Sequence, residues 1–100
     1  MVFIEVAEFS SIPEGTGLII ELDGKPVALF KKGDEVFAID NTCFHRGGPL
    51  GEGEVEENVV TCPLHGWQYD ITNGNCLTMP THKLNTYKVK VENGKVLIEP

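Results

Sequence analysis

One hundred residues with 41 % hydrophobic content can enclose one core, which excludes a large multidomain enzyme. Eight Lys and Arg against fifteen Asp and Glu give a formal charge of −7, which excludes a nucleic-acid role resting on phosphate neutralisation and favours partners with basic patches. No run reaches the roughly 18 to 20 apolar residues of a membrane-spanning helix, and Glu5 and Glu8 stand where a signal peptide would be basic and then apolar, so the sequence predicts a soluble cytoplasmic protein.

The predicted elements are strands. VFIEV at 2–6, GLIIEL at 17–22, PVALFK at 26–31 and EVFAI at 35–39 are β-rich runs, with Asp23-Gly24 and Gly33-Asp34 at the spacing of tight hairpin turns. Residues 41–85 break this rhythm and hold all three Cys, all three His and the only Trp, so something other than strand pairing must organise them. TYKVKV at 86–91 then puts Tyr87, Val89 and Val91 on one face and Lys88 and Lys90 on the other, and Asn93-Gly94 returns the chain into KVLIE at 95–99. No window sustains a 3.6-residue apolar period, so the class is all-β, a sandwich or small barrel.

The chemistry is concentrated in two short pairs, Cys43-Phe44-His45 and Cys62-Pro63-Leu64-His65. Three cysteines in a short chain argue against a disulfide framework and for thiols with chemical work. Each pair offers one thiolate and one imidazole, which together suit either a single tetrahedral metal or two metal centres with different ligand sets. Zinc-finger spacing groups two Cys on one arm and two His on the other, whereas here they are mixed in each arm. Mixed arms suit a [2Fe-2S] cluster with two thiolates on one iron and two imidazoles on the other.

CFHRGGPLGEG followed by CPLHGWQYD resembles the two cluster-binding boxes of the Rieske family. With the flanking TYKVKVENGKVLIEP, the resemblance to small Rieske-type ferredoxins covers essentially the whole chain. It implies three stacked antiparallel sheets in one domain spanning 1–100, with a cluster-binding subdomain at about 41–82. It also implies one [2Fe-2S] cluster, with Cys43 and Cys62 on one iron and His45 and His65 on the other through Nδ1, their Nε2 atoms facing solvent.

Gly47, Gly48, Gly51, Gly53 and Gly66 allow tight turns and close approach of amide donors to sulfur, and Pro49 and Pro63 stiffen the two loops. Pro80 resembles the proline of a third loop that covers the cluster. The positions at which respiratory Rieske proteins carry a loop-bridging disulfide correspond to Gly48 and Leu64, so that bridge cannot form. Trp67 replaces their serine, and Tyr69 stands at the position of their tyrosine, whose hydroxyl can donate to a cysteine sulfur. The expected potential lies near the low end of the Rieske range of about −150 to +300 mV, raised slightly by Tyr69. Arg46 and the run His65-Gly66-Trp67-Gln68-Tyr69 resemble oxygenase Rieske domains, but once His45 and His65 are committed only His82 remains for a mononuclear iron, so the chain is not the oxygenase.

Cys76 is read as an unligated loop thiol and His82 as a surface or loop residue. Glu52, Glu54, Glu56 and Glu57 form a solvated acidic loop that could steer a basic partner. The implied function is one-electron transfer from a flavin-dependent reductase to a terminal oxygenase or similar oxidoreductase, by a protein that is monomeric when free and not itself an enzyme. A Rieske-fold small subunit of a nitrite reductase-like complex and a structural zinc module are the competing readings.

Overall fold

The structure is a computed structural model, and it describes residues 2–43, 47–64 and 66–99. Nine strands run in chain order: β1 (Ile4–Glu8), β2 (Gly17–Leu22), β3 (Lys25–Lys32), β4 (Glu35–Asp40), β5 (Glu54–Glu56), β6 (Val59–Thr61), β7 (Gln68–Asp70), β8 (Thr86–Glu92) and β9 (Lys95–Glu99). All pairings are antiparallel, in a six-stranded order β1-β9-β8-β4-β3-β2 and a separate sheet β5-β6-β7. The six strands are two threes, joined where Ala38 and Ile39 of β4 meet Tyr87 and Thr86 of β8.

The hairpins follow from their turn residues. Asp23 and Gly24 both adopt positive φ (52° and 80°), as do Asn93 and Gly94 (52° and 75°), and each pair forms a two-residue turn. Two positive φ values match the right-handed twist of the flanking strands, which is why Asp-Gly and Asn-Gly are selected. Between β3 and β4 only Gly33 is positive (62°), the pattern of a turn with glycine first.

Strand β3 explains the layering. Its run from Val27 to Phe30 is wholly buried, with Val27 and Leu29 facing one core and Ala28 and Phe30 the other. The first core is completed by Ile12, Val36, Val96 and Ile98, and the second by Ile39, Leu50, Val60, Tyr69 and Ile71. The β3–β4 layer is thus enclosed between β9 on one side and the β6–β7 sheet on the other, the expected three-layer arrangement. Burying a side chain such as Phe30 contributes about 1.5–3 kcal/mol, so one strand serves two hydrophobic layers at once.

The middle of the chain is more regular than its sequence suggests. Three-residue strands β5, β6 and β7 occupy part of 41–85, paired through Val55↔Val60 and Val60↔Tyr69. Three residues are too few to display a two-residue period, and only Val60 and Tyr69 are fully enclosed. At the amino end β1 begins at Ile4 rather than residue 2, and Val2 is largely exposed.

Candidate metal centre

Two loops project from this frame and close in the same way. In the first, the Cys43 amide donates to Gly48 O (2.9 Å) and the Gly47 amide donates to Cys43 O (3.0 Å). In the second, the Cys62 amide donates to Trp67 O (2.7 Å) and the Gly66 amide donates to Cys62 O (3.1 Å). Each cysteine therefore opens a ring closed by the residues four and five positions later. Gly47 and Gly66 occupy the same place in the two rings, with φ of 68° and 78°, a left-handed conformation that other residues adopt only at a cost. His45 and His65 belong in sequence to these rings and, with Phe44 and Arg46, lie outside the described residues.

The rings hold their cysteines inward. Cys43 and Cys62 are each 2 % exposed and belong to one buried cluster with Val60, Tyr69, Ile71 and Leu84. Among the described residues no cysteine forms a disulfide. The Tyr69 hydroxyl lies 3.3 Å from Cys43 Sγ and is itself fully buried, so a Cys43 thiolate would accept its proton in a hydrogen bond.

Gly48 is required by proximity. A Cβ there would sit 2.6 Å from Cys62 Sγ and 3.2 Å from the Leu64 side chain, so the first loop passes directly over the second cysteine. Gly48 and Leu64, which correspond to the disulfide positions of respiratory Rieske proteins, do stand side by side. Gly51 and Gly53 depart from expectation. Their amides go to Asn41 Oδ1 (2.7 Å) and Leu50 O (2.9 Å) rather than toward sulfur, and a side chain at either would strike Ile19 or Thr61.

Asn41 is a positioning residue that its sequence context did not reveal. It is buried, its carbonyl accepts the Leu50 amide (2.8 Å), and its side chain accepts that of Gly51, so it fastens the far end of the first loop to the end of β4. Only its place just ahead of Cys43 hinted at this. Asp40 adds a second anchor, accepting from the Tyr87 hydroxyl (2.5 Å) and the Asn85 amide (3.3 Å). Burial, then the Asp40 hydrogen bond and charge, push the Tyr87 pKa well above the ordinary phenol range.

The third loop lies along the second box. Cys76 bridges to Tyr69, the Leu77 amide donates to Gln68 O (2.7 Å), and the His82 ring packs 6.1 Å from the Trp67 ring. Cys76 is more than an incidental loop thiol, being buried with its sulfur accepting the Met79 amide (3.3 Å). His82 is half-buried, and Pro80 is exposed on this loop.

Two buried soft donors held by matched loops, a hydroxyl aimed at one of them and a glycine seat that a methyl group would fill together fit a sulfur-ligated metal cluster. The family model for the Rieske [2Fe-2S] domain matches residues 2–88, and the chain belongs to that family, whose members carry one such cluster. Among curated relatives it is similar to the naphthalene 1,2-dioxygenase system ferredoxin component of Pseudomonas putida, 37 % identical over 97 % of this chain and 94 % of the relative. Among solved structures it resembles the ferredoxin of carbazole 1,9a-dioxygenase from Nocardioides aromaticivorans IC177, with a TM-score of 0.91 and 28 % identity over 100 % of this chain and 99 % of that one. It also resembles a chain in a complex of reduced oxygenase and oxidized ferredoxin in carbazole 1,9a-dioxygenase, with a TM-score of 0.86 and 28 % identity over 97 % and 92 % of the two chains. Among the described residues no helix is long and apolar enough to cross a membrane.

Proposed function

We propose that this chain is a cytoplasmic one-electron carrier, monomeric when free, that takes electrons from a flavin-dependent reductase and passes them to a terminal oxygenase. The observation that carries this reading is the pair of matching rings closed on buried Cys43 and Cys62, with the Tyr69 hydroxyl 3.3 Å from the first sulfur. Cys43 and Cys62 would hold one iron of the [2Fe-2S] cluster and His45 and His65 the other, within a cluster-binding subdomain at about 41–82 of a single domain. When bound, the cluster supplies reversible one-electron chemistry at a potential above that of four-thiolate ferredoxins.

The protein's own residues shape that chemistry. Tyr69 offsets negative charge on the Cys43 sulfur, while Val60, Ile71 and Leu84 exclude water from the thiolate side. The ferredoxin-component relatives at 37 % identity favour a free carrier over a permanent reductase subunit, since both would share this fold. The test is a coupled assay in which reconstituted protein is added to a flavin reductase and a terminal aromatic-ring dioxygenase. Product formation should rise with added protein from near zero; turnover indifferent to the chain would overturn the reading.

A further inference from the structure

Two grooves flank the cysteine loops, and their charges are opposite. One, about 550 Å³, reaches Cys43 and is lined by Lys25, Pro26, Asp40, Thr42, Gly47 and Lys83 among others. The other, about 400 Å³, reaches Cys62 and is lined by Glu52, Glu54, Thr61, Pro63 and Gly66. Chance placement in a chain of charge −7 favours two acidic grooves. Instead two of its eight basic residues border one of them.

The ion pairing inside each groove sharpens the contrast. Asp40 is 18 % exposed, occupied by Tyr87 and Asn85 and 3.8 Å from Lys25, so these two charges offset one another and the net positive charge of the groove equals that of Lys83. Among the described residues Lys83 forms no ion pair, and neither do Glu52 and Glu54. Leu64 on the second loop (55 %) and Leu77 (49 %) and Met79 (42 %) on the third loop, which lies along the second box, are exposed apolar side chains. An apolar seat with a polar rim is the anatomy of a transient protein interface.

Resting on the carrier reading above, we propose that this end of the molecule is a two-signed docking collar for a redox-partner protein. The Lys25–Lys83 groove beside Cys43 takes an acidic side chain of the partner, and the Glu52–Glu54 groove beside Cys62 takes a basic one. Opposite charges in the two grooves, one beside Cys43 and one beside Cys62, fix the partner's rotation, which a uniformly acidic surface cannot do. Electron transfer is thereby confined to one relative orientation of the two proteins, whereas net charge alone governs only how often they meet.

The field is mapped with two inorganic oxidants, each accepting one electron from the reduced holoprotein: hexacyanoferrate(III), an anion, and hexaammineruthenium(III), a cation. Lys83→Glu is compared with Lys32→Glu, which makes the same change of charge at the far end of β3 from Lys25. Glu54→Lys is compared with Glu35→Lys, at the corresponding far end of β4. Lys83→Glu should slow the anionic oxidant several-fold more than Lys32→Glu, and Glu54→Lys should slow the cationic one several-fold more than Glu35→Lys. Equal effects of near and remote variants in either pair would overturn the proposal. In the coupled oxygenase assay the double variant Lys83→Glu/Glu54→Lys, whose net charge is unchanged, should lose several-fold in turnover; full turnover would also overturn it. The oxidant arm needs no partner protein, so an inactive wild type in the coupled assay condemns the carrier reading and leaves the collar to be judged by the oxidants.

Discussion

Replacing Tyr69 by Phe removes one oxygen from a fully buried site and leaves the ring packing in place. The lost contact is the 3.3 Å approach of the hydroxyl to Cys43 Sγ. A hydrogen bond to a charged group contributes about 1.5–3 kcal/mol, and it is stronger when the sulfur carries more negative charge, that is, after reduction. If a third to a half of that energy distinguishes the two redox states, the difference is about 0.5–1.5 kcal/mol, or roughly 20–60 mV for a one-electron couple. Sulfur is a weak acceptor, so the variant leaves no costly orphan and should keep its fold. Protein-film voltammetry of wild type and Tyr69→Phe at one pH should show the variant lower by that amount. An unchanged or higher potential would refute the assignment of Tyr69 as a donor to the cluster ligand.

Gly48→Ala should reduce iron incorporation per chain on reconstitution, because its methyl would lie 2.6 Å from Cys62 Sγ and overpacking of this kind costs about 1–3 kcal/mol. Asn41→Ala strands the Gly51 amide and should lower stability in urea by about 1–3 kcal/mol. Tyr87 has a pKa raised above its ordinary 10.0, so its contribution is complete below pH 10 and is lost as pH rises from there through the folded value. The stability gap between wild type and Tyr87→Phe, measured in urea, should therefore be constant at neutral pH and narrow above pH 10.

The hairpins were legible because Asp23-Gly24, Gly33-Asp34 and Asn93-Gly94 have the φ preferences their turns require, and because β2, β3, β4, β8 and β9 are long enough to show pattern. The two cysteine loops were legible because Cys43 and Cys62 each begin a loop whose closure depends on residues within five positions. What was hidden depends on distant partners. β5, β6 and β7 are held by Val60 and Tyr69 entering a core built from other segments, and nothing local marks them as strands. Asn41 acquires its role only when Gly51 returns to it, and Gly51 and Gly53 are fixed by Ile19 and Thr61 rather than by the sulfurs. The Lys25–Lys83 groove arises because β3 and the segment before β8 converge beside the first loop, a juxtaposition absent from either stretch alone.

The central claim is that Cys43 and Cys62, with His45 and His65, hold an iron–sulfur cluster. Metal analysis and electron paramagnetic resonance of the reduced protein test it most directly. A red-brown protein with about two irons per chain and a rhombic signal of low average g, lost in Cys43→Ser and Cys62→Ser, is the predicted result. A colourless protein holding zinc at the same positions would contradict it.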